Sequence, residues 1–295
     1  MSRTSTASSS RRSASDDGAI PAVPERPDEV RAALDALGVR PSKEWGQSFL
    51  TDPFVADAEA ALVELPPGHP VVEVGGGLGG LTAALLRRGV GPLTVIERDP
   101  RLARFLETTF GTRIRVLTGD ALTVPLPPAE AVVGNLPFSV ATPILLRLFA
   151  ARTPRIVFLV QREVAERLAA GPGSKKYGRL SIIAQLYGSL ELFRTVSSAA
   201  FTPRPEVESR IGVHVARREP LPVPSVPVLE ETVRQLFSSR RKQLSNLLPR
   251  LTPSRESADE LARRAGWPAD WAHRRPEELP PSDYFALARA IARGT

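Results

Sequence analysis

Short, mostly apolar runs occur at Val71–Val74, Leu93–Ile96, Ile114–Leu117, Ala131–Val133 and Ile156–Val160. They are too short for stable helices, and their nearly continuous apolar character predicts strands buried on both faces, as in a parallel sheet. Stretches with apolar residues at helical spacing alternate with them, at Leu81–Arg88, Pro100–Thr109 and Pro143–Ala150. A helix over about Asp28–Leu37 and an amphipathic run ending at Leu65 precede the first strand. Strands alternating with helices predict an α/β fold with a doubly wound, mostly parallel sheet. Pro220, Pro222, Pro224 and Pro227 then mark a stiff linker. Beyond it the periodicity is helical with no strand signal, over about Val228–Leu248, Ser254–Ala265 and Ser282–Ala292. The expected organisation is a tail over residues 1–27, an α/β domain over 28–217, a linker over 218–227 and a small all-α C-terminal domain over 228–295.

Composition narrows the classes. Residues 1–19 hold seven Ser and three Arg with no large apolar residue except Met1, which predicts a disordered tail. No run of 18 apolar residues suggests a membrane span, and the N-terminus has no apolar core of a secretory signal, so a cytoplasmic protein is expected. With no Cys and only His69, His214 and His273, there is no thiol nucleophile, and no metal site is expected. The net charge of +7 is unevenly spread. Residues 1–150 carry 15 basic and 17 acidic side chains, whereas residues 151–295 carry 24 and 15. A basic half attached to a near-neutral half points to a polyanionic partner; a solvated basic surface is the plainer reading.

The candidate chemistry sits at the strand ends. Gly75-Gly76-Gly77-Leu78-Gly79-Gly80 follows the first strand, Glu97 ends the second, Asp120 and Ala121 follow the third, and Asn135 follows the fourth. Ligands of open α/β sheets bind beyond the carboxyl ends of the strands. Gly75, Gly77 and Gly80, with Glu97 further on, fit a dinucleotide fingerprint. Glu73 inside the strand end, and an acid at Asp120 able to meet an adenine amine, favour S-adenosylmethionine instead. Asn135-Leu136-Pro137-Phe138 adds a slot for a planar amine. The Asn oxygen and a backbone carbonyl held by Pro can accept from one NH2 group, while the aromatic ring stacks on the ring that bears it. Adenine fits this description. The plainer readings are helix caps at Glu73 and Asp120 and an Asn-Pro turn with Phe138 in the core.

These segments, with Gly46-Gln47-Ser48-Phe49-Leu50, Val160–Ala165, Tyr177–Ser181, Phe201–Ser209 and Phe237–Asn246, resemble the rRNA adenine N6,N6-dimethyltransferase family over roughly residues 40–290, most closely its small-subunit (16S) branch. The resemblance implies S-adenosylmethionine as cofactor, contacted at Leu50, Gly75, Glu97, Asp120 and Asn135. Gln47 and Ser48 belong to the same expected set, as do Glu73, Gly77 and Ala121. It also implies a Phe201-containing loop near the target base. Asn135 through Phe138 are the expected catalytic strip. Arg240, Arg241 and Lys242 are the expected RNA contacts of the helical domain, since a point-charge cluster can engage phosphates without reading sequence. The implied activity is dimethylation of two adjacent adenines near the 3′ end of small-subunit rRNA, by a monomer acting on a small ribosomal subunit or its precursor. There are two departures: Ser48 stands where the family usually has Asn, and Phe138 where this branch usually has Tyr. The competing readings are a large-subunit (23S) macrolide-resistance methyltransferase, which shares the Phe, a non-catalytic RNA- or DNA-binding factor that keeps the fold, and, more distantly, a nicotinamide oxidoreductase.

Overall fold

The computed structural model describes residues 19–42, 46–251 and 257–293. Among these residues nine strands form: β1 (Phe49–Leu50), β2 (Val71–Val74), β3 (Leu93–Glu97), β4 (Ile114–Thr118), β5 (Ala131–Asn135), β6 (Arg155–Gln161), β7 (Gly188–Val196), β8 (Phe201–Thr202) and β9 (Ser209–Ala216). Ten α-helices accompany them: α1 (Pro27–Ala36), α2 (Pro53–Ala61), α3 (Gly80–Arg87), α4 (Pro100–Phe110), α5 (Ala141–Ala150), α6 (Arg162–Leu168), α7 (Arg179–Tyr187), α8 (Val226–Phe237), α9 (Ala258–Arg264) and α10 (Pro281–Ala292). Sequence chemistry fixes several starts. Asp52 and Asp99 accept backbone N–H groups of α2 and α4, and Pro53 and Pro100 follow at the first helical position, where no N–H is needed.

Seven strands pair in the order β4-β3-β2-β5-β6-β9-β7. The β2–β3, β2–β5, β3–β4 and β5–β6 pairs are parallel, while β9 runs antiparallel to both β6 and β7. Strand order reverses between β2 and β5, which opens a crevice at their carboxyl ends. Alternate residues face opposite sides. Val72, Val74 and Val132 enter a core shared with α5 and α7, and Val71 and Val133 enter one shared with α2 and α3. Burial on both faces is why these strands read as continuous apolar runs. The first core continues through Leu229, Val233 and Leu236 of α8 to Tyr284 and Leu287 of α10.

Three expectations need revision. The antiparallel strands β7 and β9 close the sheet where no element was expected. The helix expected over 228–248 ends at Phe237, and the chain turns so that Leu244, Leu247 and Leu248 are buried; the Leu244 N–H donates to the Arg274 carbonyl at 2.9 Å. Residues 19–26, expected to belong to the tail, place Ile20 and Val23 against the α2–α3 core. The remainder of that expected tail, and residues 254–256 of the expected helix, lie outside the described residues. No described helix is long and apolar enough to cross a membrane.

Candidate active site

A cleft of about 300 Å³ opens at the carboxyl ends of β2, β3, β4 and β5, lined by the glycine turn, the 46–50 segment and the Asn135–Phe138 strip. Gly75 and Gly77 hold φ of +82° and +54°, a region that side chains rarely adopt, so the turn brings bare backbone to the cleft floor. Glu97 is 6% exposed, and its two carboxylate oxygens accept the N–H groups of Gly77 and Asp99, each at 2.9 Å. Burial raises its pKa, and the backbone N–H groups oppose the shift. Each oxygen keeps a lone pair for a ribose hydroxyl. Glu73 is fully buried beneath the turn; Oε2 accepts the Thr82 hydroxyl at 2.6 Å, while Oε1 has no partner in the protein. Burial lifts its pKa to about 8, against the Thr82 bond and with Glu97 adding to the rise. Asp120 Oδ1 accepts the Leu122 N–H at 2.9 Å and Oδ2 faces Arg98 Nη1 at 3.7 Å, so its carboxylate both shapes the turn and borders the cleft. Beside it the Ala121 carbonyl accepts Arg147, which also donates to the Val124 carbonyl at 2.7 Å.

Gln47, Ser48 and Leu50 line the opposite wall. Gln47 Oε1 accepts the Ser42 N–H at 3.0 Å. Asn135 ends β5, and its Nδ2 donates to the Ser48 carbonyl at 3.4 Å. Leu136 is buried in the core beside the cleft, and its N–H donates to the Leu159 carbonyl at 3.1 Å. The Pro137 carbonyl is engaged by the Val140 N–H at 3.0 Å. Phe138 is half-buried at the cleft.

Two expected substrate contacts are placed otherwise. Phe201 is 2% exposed and packs in the α2–α3 core, so its ring anchors the following loop and is not free to meet a base. Arg240 Nε pairs with Glu277 Oε2 at 2.7 Å and Nη1 donates to the Lys175 carbonyl at 3.1 Å, so this guanidinium is occupied within the fold. Arg241 and Lys242 are exposed. Gly46, which packs on the Phe138 and Ser139 amides, and the bracing Arg147 join the site beyond the expected residues; Gly46 opens the Gly46–Leu50 motif, whereas nothing local in the sequence marks Arg147.

The donor set fits S-adenosylmethionine: a bare turn, a buried acid with accepting capacity at the end of β3, an orphaned carboxyl oxygen at Glu73, and the Asp120 carboxylate bordering the cleft. Fold and site together define a Rossmann-like, S-adenosylmethionine-dependent methyltransferase. The family model for ribosomal RNA adenine dimethylase matches residues 39–264, and the chain belongs to that family. A ribosomal RNA small subunit methyltransferase A from Acidothermus cellulolyticus is 39% identical over 292 residues, covering 94% of this chain and 98% of the relative. A probable ribosomal RNA small subunit methyltransferase A from Natronomonas pharaonis is 39% identical over 269 residues, 88% and 97% of the two chains. The crystal structure of a dimethyladenosine transferase from Plasmodium falciparum shares the fold, with a TM-score of 0.69 at 22% identity over 81% of this chain and 95% of that one. The 23S rRNA methyltransferase ErmE gives 0.64 at 27% identity, over 83% and 99%. The protein is thus an rRNA adenine methyltransferase that uses S-adenosylmethionine.

Proposed function

We propose that this enzyme dimethylates the N6 amines of two adjacent adenines near the 3′ end of small-subunit rRNA, as a cytoplasmic monomer acting on a small ribosomal subunit or its precursor. The observation that carries the reading is the Asn135–Phe138 strip at the end of β5, facing the glycine turn across the crevice where strand order reverses. The two small-subunit methyltransferases at 39% identity support the choice of RNA. S-adenosylmethionine, when bound, supplies an electrophilic methyl group; Gly75, Gly77, Glu73, Glu97, Asp120 and Leu50 would hold it.

The rest is placement by this chain's own groups. Asn135 Nδ2 is committed to the Ser48 carbonyl, which leaves Oδ1 as an acceptor for the target amine. The second acceptor in this reading is the Leu136 carbonyl, in the amide that Pro137 holds, while the Pro137 carbonyl accepts the Val140 N–H. An aromatic amine is a poor nucleophile because its lone pair is delocalised into the ring. Two acceptors on its protons favour a pyramidal nitrogen with a localised lone pair, and fixed dipoles do this without reorganising. Phe138 stacks on the base. The test is to incubate the enzyme and labelled S-adenosylmethionine with immature small subunits or with naked large-subunit rRNA, then map the label. Label on two neighbouring small-subunit adenines is expected. Label confined to large-subunit RNA overturns the target, and transfer to neither overturns the reaction.

A further inference from the structure

We propose that Ser48 is a positioning residue for methyl transfer: it ties the 201–208 loop to Asn135, so that the loop packed on the 46–50 wall and the amine acceptor are held as one unit. The proposal rests on the reading of Asn135 as that acceptor. Ser48 makes two contacts in opposite directions. Its carbonyl accepts Asn135 Nδ2 at 3.4 Å, and its hydroxyl donates to the Pro203 carbonyl at 2.7 Å, across 155 positions of sequence. Around that bond β1 and β8 pair antiparallel, Phe49 with Thr202 and Leu50 with Phe201, and the Thr51 N–H donates to the Ala200 carbonyl at 2.7 Å.

A two-residue ladder is marginal alone, so one added hydrogen bond is a large share of what holds the loop there. The far end of the loop is fastened separately. The Arg162 N–H donates to the Glu208 carbonyl at 2.9 Å, and its guanidinium pairs with the Glu208 carboxylate at 2.8 Å. Arg162 follows β6, and β6 lies beside the β5 strand that carries Asn135. The loop therefore spans from the 46–50 wall to the strand next to the acceptor, with Arg204, Glu206 and Val207 exposed between its anchors. No residue of the span lines the cleft itself, so the span acts on a bound base through Ser48, which lines the wall and holds the Asn135 amide. The serine hydroxyl, at a position where the resembling family usually has Asn, makes that tie in this chain.

The experiment compares full-length Ser48→Ala, which removes the hydroxyl and keeps the carbonyl, with Ser48→Thr, which keeps both. Backbone amides over 200–209 should exchange with deuterium about 3–10-fold faster in Ser48→Ala, the equivalent of one lost hydrogen bond, and near the wild-type rate in Ser48→Thr. In parallel, kcat on RNA should fall about 3–10-fold in Ser48→Ala and recover in Ser48→Thr, with the Kd for S-adenosylmethionine within about twofold of wild type. Unchanged exchange in Ser48→Ala overturns the tie, and a loosened loop with wild-type kcat overturns the positioning role. Weakened cofactor binding at unchanged kcat overturns it as well and makes Ser48 a cofactor contact. Asn135→Ala with undiminished kcat overturns the acceptor reading, and the catalytic half of this proposal with it; the exchange rates still decide the tie.

Discussion

At Asn135, which lines the cleft, the amide nitrogen is engaged by the Ser48 carbonyl, and Oδ1 is the atom proposed to accept the target amine. Substitution by Ala removes the proposed acceptor together with the bond to the Ser48 carbonyl, and leaves the basic surface intact. Single-turnover methylation should slow by about 100-fold or more, the usual cost of losing one preorganised polar group, while RNA affinity changes little. Phe138 supplies a different quantity. Stacking is worth about 1–3 kcal/mol per base and depends on the π-face, so Phe138→Ala should weaken capture of the extruded base, whereas Phe138→Tyr should keep it. Binding of a short adenine-containing RNA and single-turnover rates at saturating cofactor separate the two residues: Asn135→Ala loses rate, and Phe138→Ala loses both. A Tyr variant as poor as the Ala variant would mean that the pocket is closed around Phe and would weaken the small-subunit assignment.

Between elements, packing at the crevice is tight enough for single atoms to matter. A Cβ added at Gly134 on β5 would stand 2.4 Å from the Val74 carbonyl oxygen on β2, and backbone cannot step aside as a side-chain tip can. Gly134→Ala should therefore cost about 1–3 kcal/mol in urea unfolding and displace the adjoining Asn135, lowering activity more than stability alone predicts. Across the sheet face, Glu59 of α2 is fully buried with both carboxyl oxygens unpartnered. Burial, then the neighbouring Glu73, lifts its pKa from 4.5 to about 8. Between those values the folded chain binds more protons than the unfolded one, so this contribution to stability is full below about pH 4.5 and is lost as pH rises toward 8. Glu59→Leu should be the more stable protein at pH 8, by about 1–4 kcal/mol, with the gain shrinking at pH 5. Equal gains at both values would place the effect elsewhere. The sequence showed β2, β3, β5 and β6 because a strand buried on both faces reads as one apolar run, and the half-exposed edge strand β4 through Ile114, Val116 and Leu117. It did not show β7, whose Gly188–Val196 segment is half exposed at the sheet edge and follows α7 without an intervening loop. Nor did it show the end of α8 at Phe237, where no Gly or Pro interrupts the helical pattern; the turn is set by distant partners of Arg240 and Leu244.

At the scale of the whole molecule, the strand-end residues Gly75, Glu97, Asp120 and Asn135 were legible as one site because parallel topology gathers carboxyl ends, whatever their separation in sequence. The distribution of cations was legible only in part. A run of Arg240, Arg241 and Lys242 looks like three equivalent phosphate contacts, but charge in sequence does not say which charges are already spent. Arg240 is held by Glu277 and the Lys175 carbonyl. The Glu277 carbonyl in turn accepts the Gly173 N–H at 2.7 Å, and the Tyr177 hydroxyl donates to the Leu279 carbonyl at 2.9 Å. The end of α8, the loop before α7 and the segment before α10 are joined through these bonds. Arg240→Ala leaves Glu277 without its cation and should lower the melting temperature by a few degrees. Arg241 and Lys242 are exposed and carry no such load, so replacing both by Ala should leave the melting temperature unchanged and weaken RNA binding. Each phosphate contact contributes about 0.9 to the slope of log affinity against log salt on a duplex and about 0.7 on a single strand. The double variant should therefore flatten that slope by up to about 1.4–1.8 units, measured by titrating an rRNA fragment at several salt concentrations. Arg240→Ala should change it by much less. A wild-type slope in the double variant would move the RNA face away from this turn, toward Arg167 and Lys175, which line a separate hollow beside α6 together with Arg240 and with Lys176, itself paired with Glu166.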